Sequence, residues 1–194
     1  MLTRRTLILS LAALATPGFA RPIPYQLDAA ASRVGFTYRL GGGLQEGQMP
    51  ITRADVLIDP ADLGASTADV VVNPAGARTG FFFATEALKS ATVLDTDRFP
   101  DIRFRSTAVR LAPSGRLSDG ASLIGDLTVR DITRQIELDA SLFRPQGSAP
   151  DDLSVLTITL RGQISRAAFG ATGYADIVAD TVGLDIQAMI RATT

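Results

Sequence analysis

The chain has 194 residues, nearly balanced charge (19 Lys and Arg against 20 Asp and Glu), no cysteine and no histidine. The balance excludes a basic field for nucleic acid or for an anionic membrane surface, and the missing cysteines exclude disulfides. The missing histidines remove the commonest general base near neutral pH, every Ser-His-Asp or Cys-His arrangement, and the usual zinc or copper ligand.

Residues 1–20 read as an export signal. Arg4 and Arg5 precede an apolar run, Leu7 to Ala15, that is too short to span a bilayer, and Gly18-Phe19-Ala20 offers the small residues of a cleavage site. Thr3-Arg4-Arg5-Thr6-Leu7-Ile8 also fits a twin-arginine signal, so the secretory and twin-arginine routes both stay open. Either route predicts a periplasmic protein whose mature part, 21–194, is one domain large enough for a substantial core.

Pro22 and Pro24 make an extended entry, followed by Tyr25 to Asp28 and a turn through Ala29 to Ser32. From there Val34, Phe36, Tyr38 and Leu40 alternate with Arg33, Gly35, Thr37 and Arg39, which predicts a strand with one dry and one wet face. Gly41-Gly42-Gly43 is a turn, because no helix with Lys or Ser/Thr follows it to make a phosphate loop. Leu44 to Ile58 and Ala65 to Val72 are further strands, the first carrying an edge, bulge or bend at Pro50. Asp59 to Gly64 and Asn73 to Gly76 are turns.

The one helical stretch covers about 80–92. Ala84, Glu86, Ala87, Leu88 and Lys89 are good helix formers, and Phe81, Ala84 or Thr85, and Leu88 share a face. Phe81-Phe82-Phe83 makes this helix very apolar, either a plug that the strands must accommodate or a patch that meets a partner. After Phe99-Pro100 the period changes to two, with Ile102 and Phe104 dry and Arg103 and Arg105 wet. Strands then follow at hairpin spacing: Ala108 to Leu111, ending at Pro113-Ser114-Gly115, then Leu123 to Val129, Ile136 to Leu142, Leu156 to Ile164 and Val182 to Ile190. Arg130-Asp131 is a turn, and Arg144 to Asp152 and Ala167 to Val178 are loops. So many strands with short turns and no alternating helices predict an all-β antiparallel barrel or sandwich. A barrel of about eight strands either fills with its own side chains or holds one small apolar ligand, and the inward Gly, Ala and Val residues leave room.

The series of motifs resembles the YceI-like family of periplasmic lipid-binding proteins. Tyr25-x-Leu27-Asp28 with Ser32-x-Val34-x-Phe36 is similar to its opening. Leu88-Lys89-Ser90, Asp95 and Phe99-Pro100-x-Ile102-x-Phe104-x-Ser106 resemble its central signature, and Gly125-x-Leu127-Thr128-Val129-x-x-Ile132-Thr133-Arg134 its next. Ser165-Arg166-x-x-Phe169-Gly170 and Val182-x-Leu184-x-Ile186 resemble its last segments, so the likeness covers nearly all of 25–190.

The resemblance implies an eight-stranded antiparallel lipocalin-like β-barrel with an elongated apolar interior that binds polyisoprenoid chains, including quinones and prenyl phosphates. It puts Phe36, Leu88, Phe99, Phe104, Leu127 and Phe169 on family hydrophobic positions, where they line the cavity or serve as ordinary core. The dry faces and the helix add Tyr38, Phe81, Phe82, Ile102, Val129, Leu138 and Leu184 as ligand-binding candidates. Arg166 is the candidate partner for a pyrophosphate, with a structural ion pair as its alternative, and Tyr38 and Tyr174 could offer hydroxyls to a head group such as a quinone carbonyl or satisfy themselves at the rim. Arg103 and Arg105 read as solvated, and Asp95-x-Asp97 as a turn pair without calcium-loop spacing. Where family members carry Arg-Asp-x-His, this chain has Ala84-Thr85-Glu86-Ala87, and Asp131 replaces a turn glycine.

Three functions fit: a lipid or isoprenoid carrier, an enzyme on such a lipid with Asp, Glu or Tyr as acid and base, and a ligand-free interaction module. The carrier is favoured, with no catalytic residue, metal or cofactor beyond a bound isoprenoid or quinone. The resemblance also allows a homodimer and transient membrane contact.

Overall fold

The structure, a computed structural model, describes residues 21–113, 120–149 and 152–193. The expected export signal lies outside the described residues, as do Ser114 and Gly115 of one predicted turn and Pro150 and Asp151 of a predicted loop.

Eleven antiparallel strands form one sheet that closes on itself. They are β1 (Ile23–Leu27), β2 (Arg33–Leu40), β3 (Gly43–Met49), β4 (Ile51–Ile58), β5 (Thr67–Val72), β6 (Arg78–Thr79), β7 (Ile102–Leu111), β8 (Ala121–Val129), β9 (Ile132–Phe143), β10 (Val155–Ser165) and β11 (Thr181–Ala192). Three consecutive pairs are each one strand with an interruption. β1 and β2 both lie along β11, β4 and β3 lie along β1 and β2, and β5 and β6 lie along β4 and β3. The ring therefore has eight staves, continued by β7, β8, β9 and β10 back to β11. The predicted eight-stranded antiparallel barrel is the observed fold.

Each interruption has a local cause. Ala29 to Ala31 form a single 3-10 turn whose Ala31 amide donates to Asp28 Oδ1 at 3.3 Å. Pro50 has no N–H for the ladder, so the predicted strand from Leu44 to Ile58 is split there into β3 and β4. Asn73 Oδ1 accepts from the amides of Ala75 and Gly76 at 2.9 and 3.3 Å, which turns the chain between β5 and β6. Two hairpins close through two-residue turns with positive φ at both positions, Gly41-Gly42 and Arg130-Asp131. The second lacks glycine, and it is held because Arg130 Nη1 donates to the carbonyls of Ala91 and Val93 at 2.9 and 2.6 Å.

The helix, α1 (Phe82–Lys89), is shorter than the predicted 80–92. The Ser90 amide turns back to Ala87 O, and the amides of Leu94 and Thr96 then bond Leu88 O and Lys89 O, so the chain doubles over its last turn. At the opposite end of the barrel Tyr25, Ile58, Leu156 and Ile190 pack into a floor, with Leu156 and Ile190 fully buried. Tyr25 Oη donates to Leu153 O at 2.7 Å and ties a loop across that floor.

On the outer wall Arg103 and Arg105 are not free in solvent, as the alternation predicts, but clasp Asp69 of β5. Arg103 Nε donates to Asp69 Oδ1 at 2.8 Å, with a second bond from Nη2 to Oδ2, and Arg105 Nη2 lies 3.3 Å from Oδ2. Arg53 Nη2 adds a third cation at 3.7 Å. The hydrogen bond from Arg103, above all, holds the Asp69 carboxyl below its ordinary value. A carboxyl with a depressed folded pKa adds stability above the ordinary value of about 4 and loses it as pH falls through the folded value. Asp69→Asn should therefore lower the melting temperature by roughly 2–4 °C at pH 7, and by progressively less as the pH falls below about 4, as read by thermal melts across that range.

An apolar cavity as the candidate binding site

Between the floor and α1 the barrel encloses a cavity of about 960 Å³ with an almost wholly apolar lining. Its size comes from how the large side chains lie. A methyl built on Gly47 of β3 would fall on the Phe36 ring of the neighbouring β2, so this ring lies flat on the wall where a side chain would otherwise be. Phe104 covers Gly125 and Leu138 covers Gly162 in the same way, with closest approaches of 2.5 and 2.6 Å to the built methyl. Inward glycines thus accept the bulky neighbours sideways and keep the lumen clear. Leu94, Leu127, Val129 and Phe169 form a second buried cluster that walls the cavity below α1.

The mouth lies where lining residues are also exposed. Phe81 and Phe83, which flank the start of α1, stand there with Tyr174 and Ile177 of the loop between β10 and β11. Ala84, Ala87 and Leu88 turn toward the lumen, so α1 covers the cavity as one piece of its wall and does not plug it. No side chain caps its first turn.

Residues 25–190 match the family described as the YceI-like domain. A UPF0312 protein of Yersinia pestis (strain Pestoides F) is 28% identical over 154 residues, which is 77% of each chain. A UPF0312 protein of Serratia proteamaculans (strain 568) is 26% identical over 164 residues, covering 83% of this chain and 82% of that one. Among solved structures, Burkholderia cenocepacia BcnA superposes with a TM-score of 0.73 at 20% identity, covering 84% of this chain and 99% of that one. A polyisoprenoid binding domain from Saccharophagus degradans, implicated in plant cell wall breakdown, gives 0.61 at 15% identity, with coverages of 88% and 99%.

Of the residues singled out from sequence, Phe36, Tyr38, Leu88, Ile102, Phe104 and Leu127 line the cavity. So do Val129, Leu138, Phe169 and Leu184, and Phe81 and Tyr174 line it at the mouth. Two of the predicted residues lie elsewhere. Phe82 points away into solvent at 74% exposure, edge-on to Phe83. Phe99 sits outside the barrel between two guanidinium groups, Arg98 at 5.1 Å and Arg130 at 5.7 Å from its ring centre. The sequence reading passed over Met49 and Ile136, and also Leu160, Ile164, Val182 and Ile186, whose place on the dry faces of β10 and β11 was signal enough to include them. Ile177 sits in a loop with no period to mark it.

Arg166 is placed at the cavity wall, but four of its five N–H donors are taken by backbone carbonyls. Nη1 donates to Ala171 O and Gly173 O at 2.6 and 2.7 Å, Nη2 to Val178 O at 3.0 Å, and Nε to Ala179 O at 3.1 Å. Neither the pyrophosphate contact nor the alternative ion pair describes it: it gathers the carbonyls of the loop that carries Tyr174 and Ile177. Asp180 caps the same loop through the amide of Ala167, at 2.9 Å. Its carboxyl is held below the ordinary value first by the Ser165 hydroxyl and then by that amide. Arg166→Gln should lower the melting temperature by roughly 5–10 °C and open residues 167–180 to limited proteolysis, because buried carbonyls lose their donors. Melting curves and mapping of the first cleavage site check this.

Proposed function

The chain belongs to the YceI-like domain family, and on that footing we propose that it is a periplasmic carrier holding one long apolar lipid, a polyisoprenoid chain or an isoprenoid quinone, inside the barrel. The observation that carries this reading is the open, almost wholly apolar cavity, at the upper end of the roughly 300–1,000 Å³ usual for small-ligand sites. Burying apolar surface is worth about 25 cal/mol per Å² and has no preferred direction, so a flexible prenyl chain can be held without a matching set of polar contacts. The polyisoprenoid-binding domain among the structural neighbours supports the same class of ligand. The signal-like segment 1–20 supports export to the periplasm, where a lipid crossing between membranes needs a cover from water.

Loading requires the mouth to meet a membrane. Exposed Phe81, Phe82, Phe83 and Ile177 are clustered where the chain would leave the bilayer, and aromatic side chains suit that interface. A homodimer through the same patch is the competing use of it. The reading invokes no catalytic residue, in keeping with a chain that has no His or Cys.

Native mass spectrometry of the protein taken from its periplasm, followed by extraction, is expected to give one isoprenoid or quinone for each chain. A clean unliganded mass with no uptake of offered quinone overturns the carrier reading, and a mass of two chains points to the dimer. Ala87→Trp, which fills the lumen from α1 without touching a strand, is expected to cut uptake by roughly tenfold with an unchanged circular dichroism spectrum.

A further inference from the structure

We infer that the cavity selects lipids whose polar end is uncharged and hydrogen-bonding, such as an alcohol, a phenol or a quinone carbonyl, against phosphorylated lipids of the same chain length, and that Tyr38 is the residue that meets that end. This rests on the carrier reading above and goes on to specify the head group.

The polar side chains lining the cavity are those of Tyr38, Thr79, Glu86, Ser90, Arg166 and Tyr174. Thr79 Oγ1 is engaged with Phe81 O and Thr85 Oγ1, both at 2.9 Å, and Ser90 Oγ donates to Ala87 O at 2.7 Å. Arg166 has the carbonyl contacts described above. Glu86 stands exposed on α1 with Lys89 Nζ at 3.3 Å, and Tyr174 is half exposed at the mouth. Tyr38 alone is different. Its ring lies along Phe36, with centroids 6.1 Å apart, and its hydroxyl is buried with no hydrogen-bond partner among the described residues.

Those contacts fix the chemistry of the guest. An anionic end would enter a low-dielectric space where the one lining cation has bonded its guanidinium to the backbone, and it would pass a carboxylate on the way. The guanidinium keeps its charge, but with four of its five N–H groups on carbonyls it has at most one left to replace the hydration an anion loses. A neutral oxygen loses far less water on entry, and a tyrosine hydroxyl can both donate and accept, so it serves a carbonyl and an alcohol equally. Giving that buried hydroxyl a partner also removes the penalty of leaving it unpaired, a gain that a pure hydrocarbon cannot supply. The site therefore discriminates in two steps, against an anion by the shortage of cationic N–H donors to replace its water and in favour of one neutral polar atom through Tyr38.

The test offers the whole protein, stripped of lipid, a long-chain prenyl alcohol, an isoprenoid quinone, the prenyl monophosphate and squalene, with occupancy followed by native mass spectrometry. The alcohol and the quinone are expected to bind at least about tenfold more tightly than the phosphate. Tyr38→Phe is expected to weaken both by about five- to tenfold and to leave squalene unchanged, the size of one neutral hydrogen bond lost from a buried site. The same variant should melt at the wild-type temperature or slightly above, because its hydroxyl bonds nothing in the protein. Phosphate binding as tight as alcohol binding overturns the inference and leaves the carrier reading standing. So does a Tyr38→Phe variant that melts lower, or that loses squalene as much as quinone. Binding of none of the four lipids overturns the carrier reading, and this inference falls with it.

Discussion

The barrel stays open because three of its bulky inward side chains rest on glycines of the next strand. Phe36 lies over Gly47, Phe104 over Gly125 and Leu138 over Gly162. In a ring of eight strands there is little more than one side-chain length from wall to axis, so three such groups standing upright would go far to fill the centre. Laid sideways, they still bury most of their apolar area against backbone and neighbouring chains. The wall therefore gains much of the cohesion of a packed core while the axis stays clear.

This arrangement divides the work of stability from the work of binding. The floor of Tyr25, Ile58, Leu156 and Ile190 is a conventional packed core, and none of these four side chains lines the cavity above it. The clasp on Asp69 joins β4, β5 and β7 from outside. Arg166 fixes the loop beside the mouth by its backbone. Of these only Arg166 also lines the lumen, so the other lining residues can be changed to suit a different guest without loosening what closes the ring. An apolar lumen facing water is itself unfavourable, and a guest that filled it would return that free energy as affinity.

The sequence made the ring legible and left the levels within it unread. Alternation in β10 marks Leu156, Leu160 and Ile164 alike as inward, yet Leu156 belongs to the floor and the other two to the cavity. Period two reports a face and carries no depth. Phe82 was misplaced because helical spacing cannot say where a helix overhangs the rim, and the first turn of α1 does so. Phe99 was misplaced because two arginines far apart in sequence, Arg98 and Arg130, converge on it from a turn and a hairpin. Arg166 was misread for a related reason. A guanidinium that holds four carbonyls depends on the shape of a loop, and no local pattern encodes that shape.

The ladder around the barrel is not complete. β6 meets β3 only at Gly47–Thr79 and Gln48–Arg78, β7 begins at Ile102, and α1 spans the interval between them. A fully laced cylinder has a fixed girth, since widening it anywhere breaks hydrogen bonds all along a seam. Here one stretch of the circumference is bridged by an eight-residue helix that shares no ladder with a strand and is tied at its last turn by the amides of Leu94 and Thr96. That stretch can give by sliding, with no backbone hydrogen bond lost between strands. The strand ladder stiffens most of the hoop and leaves one gusset, so a displacement of α1 would widen the lumen for a thicker guest without changing the pitch or register of the strands.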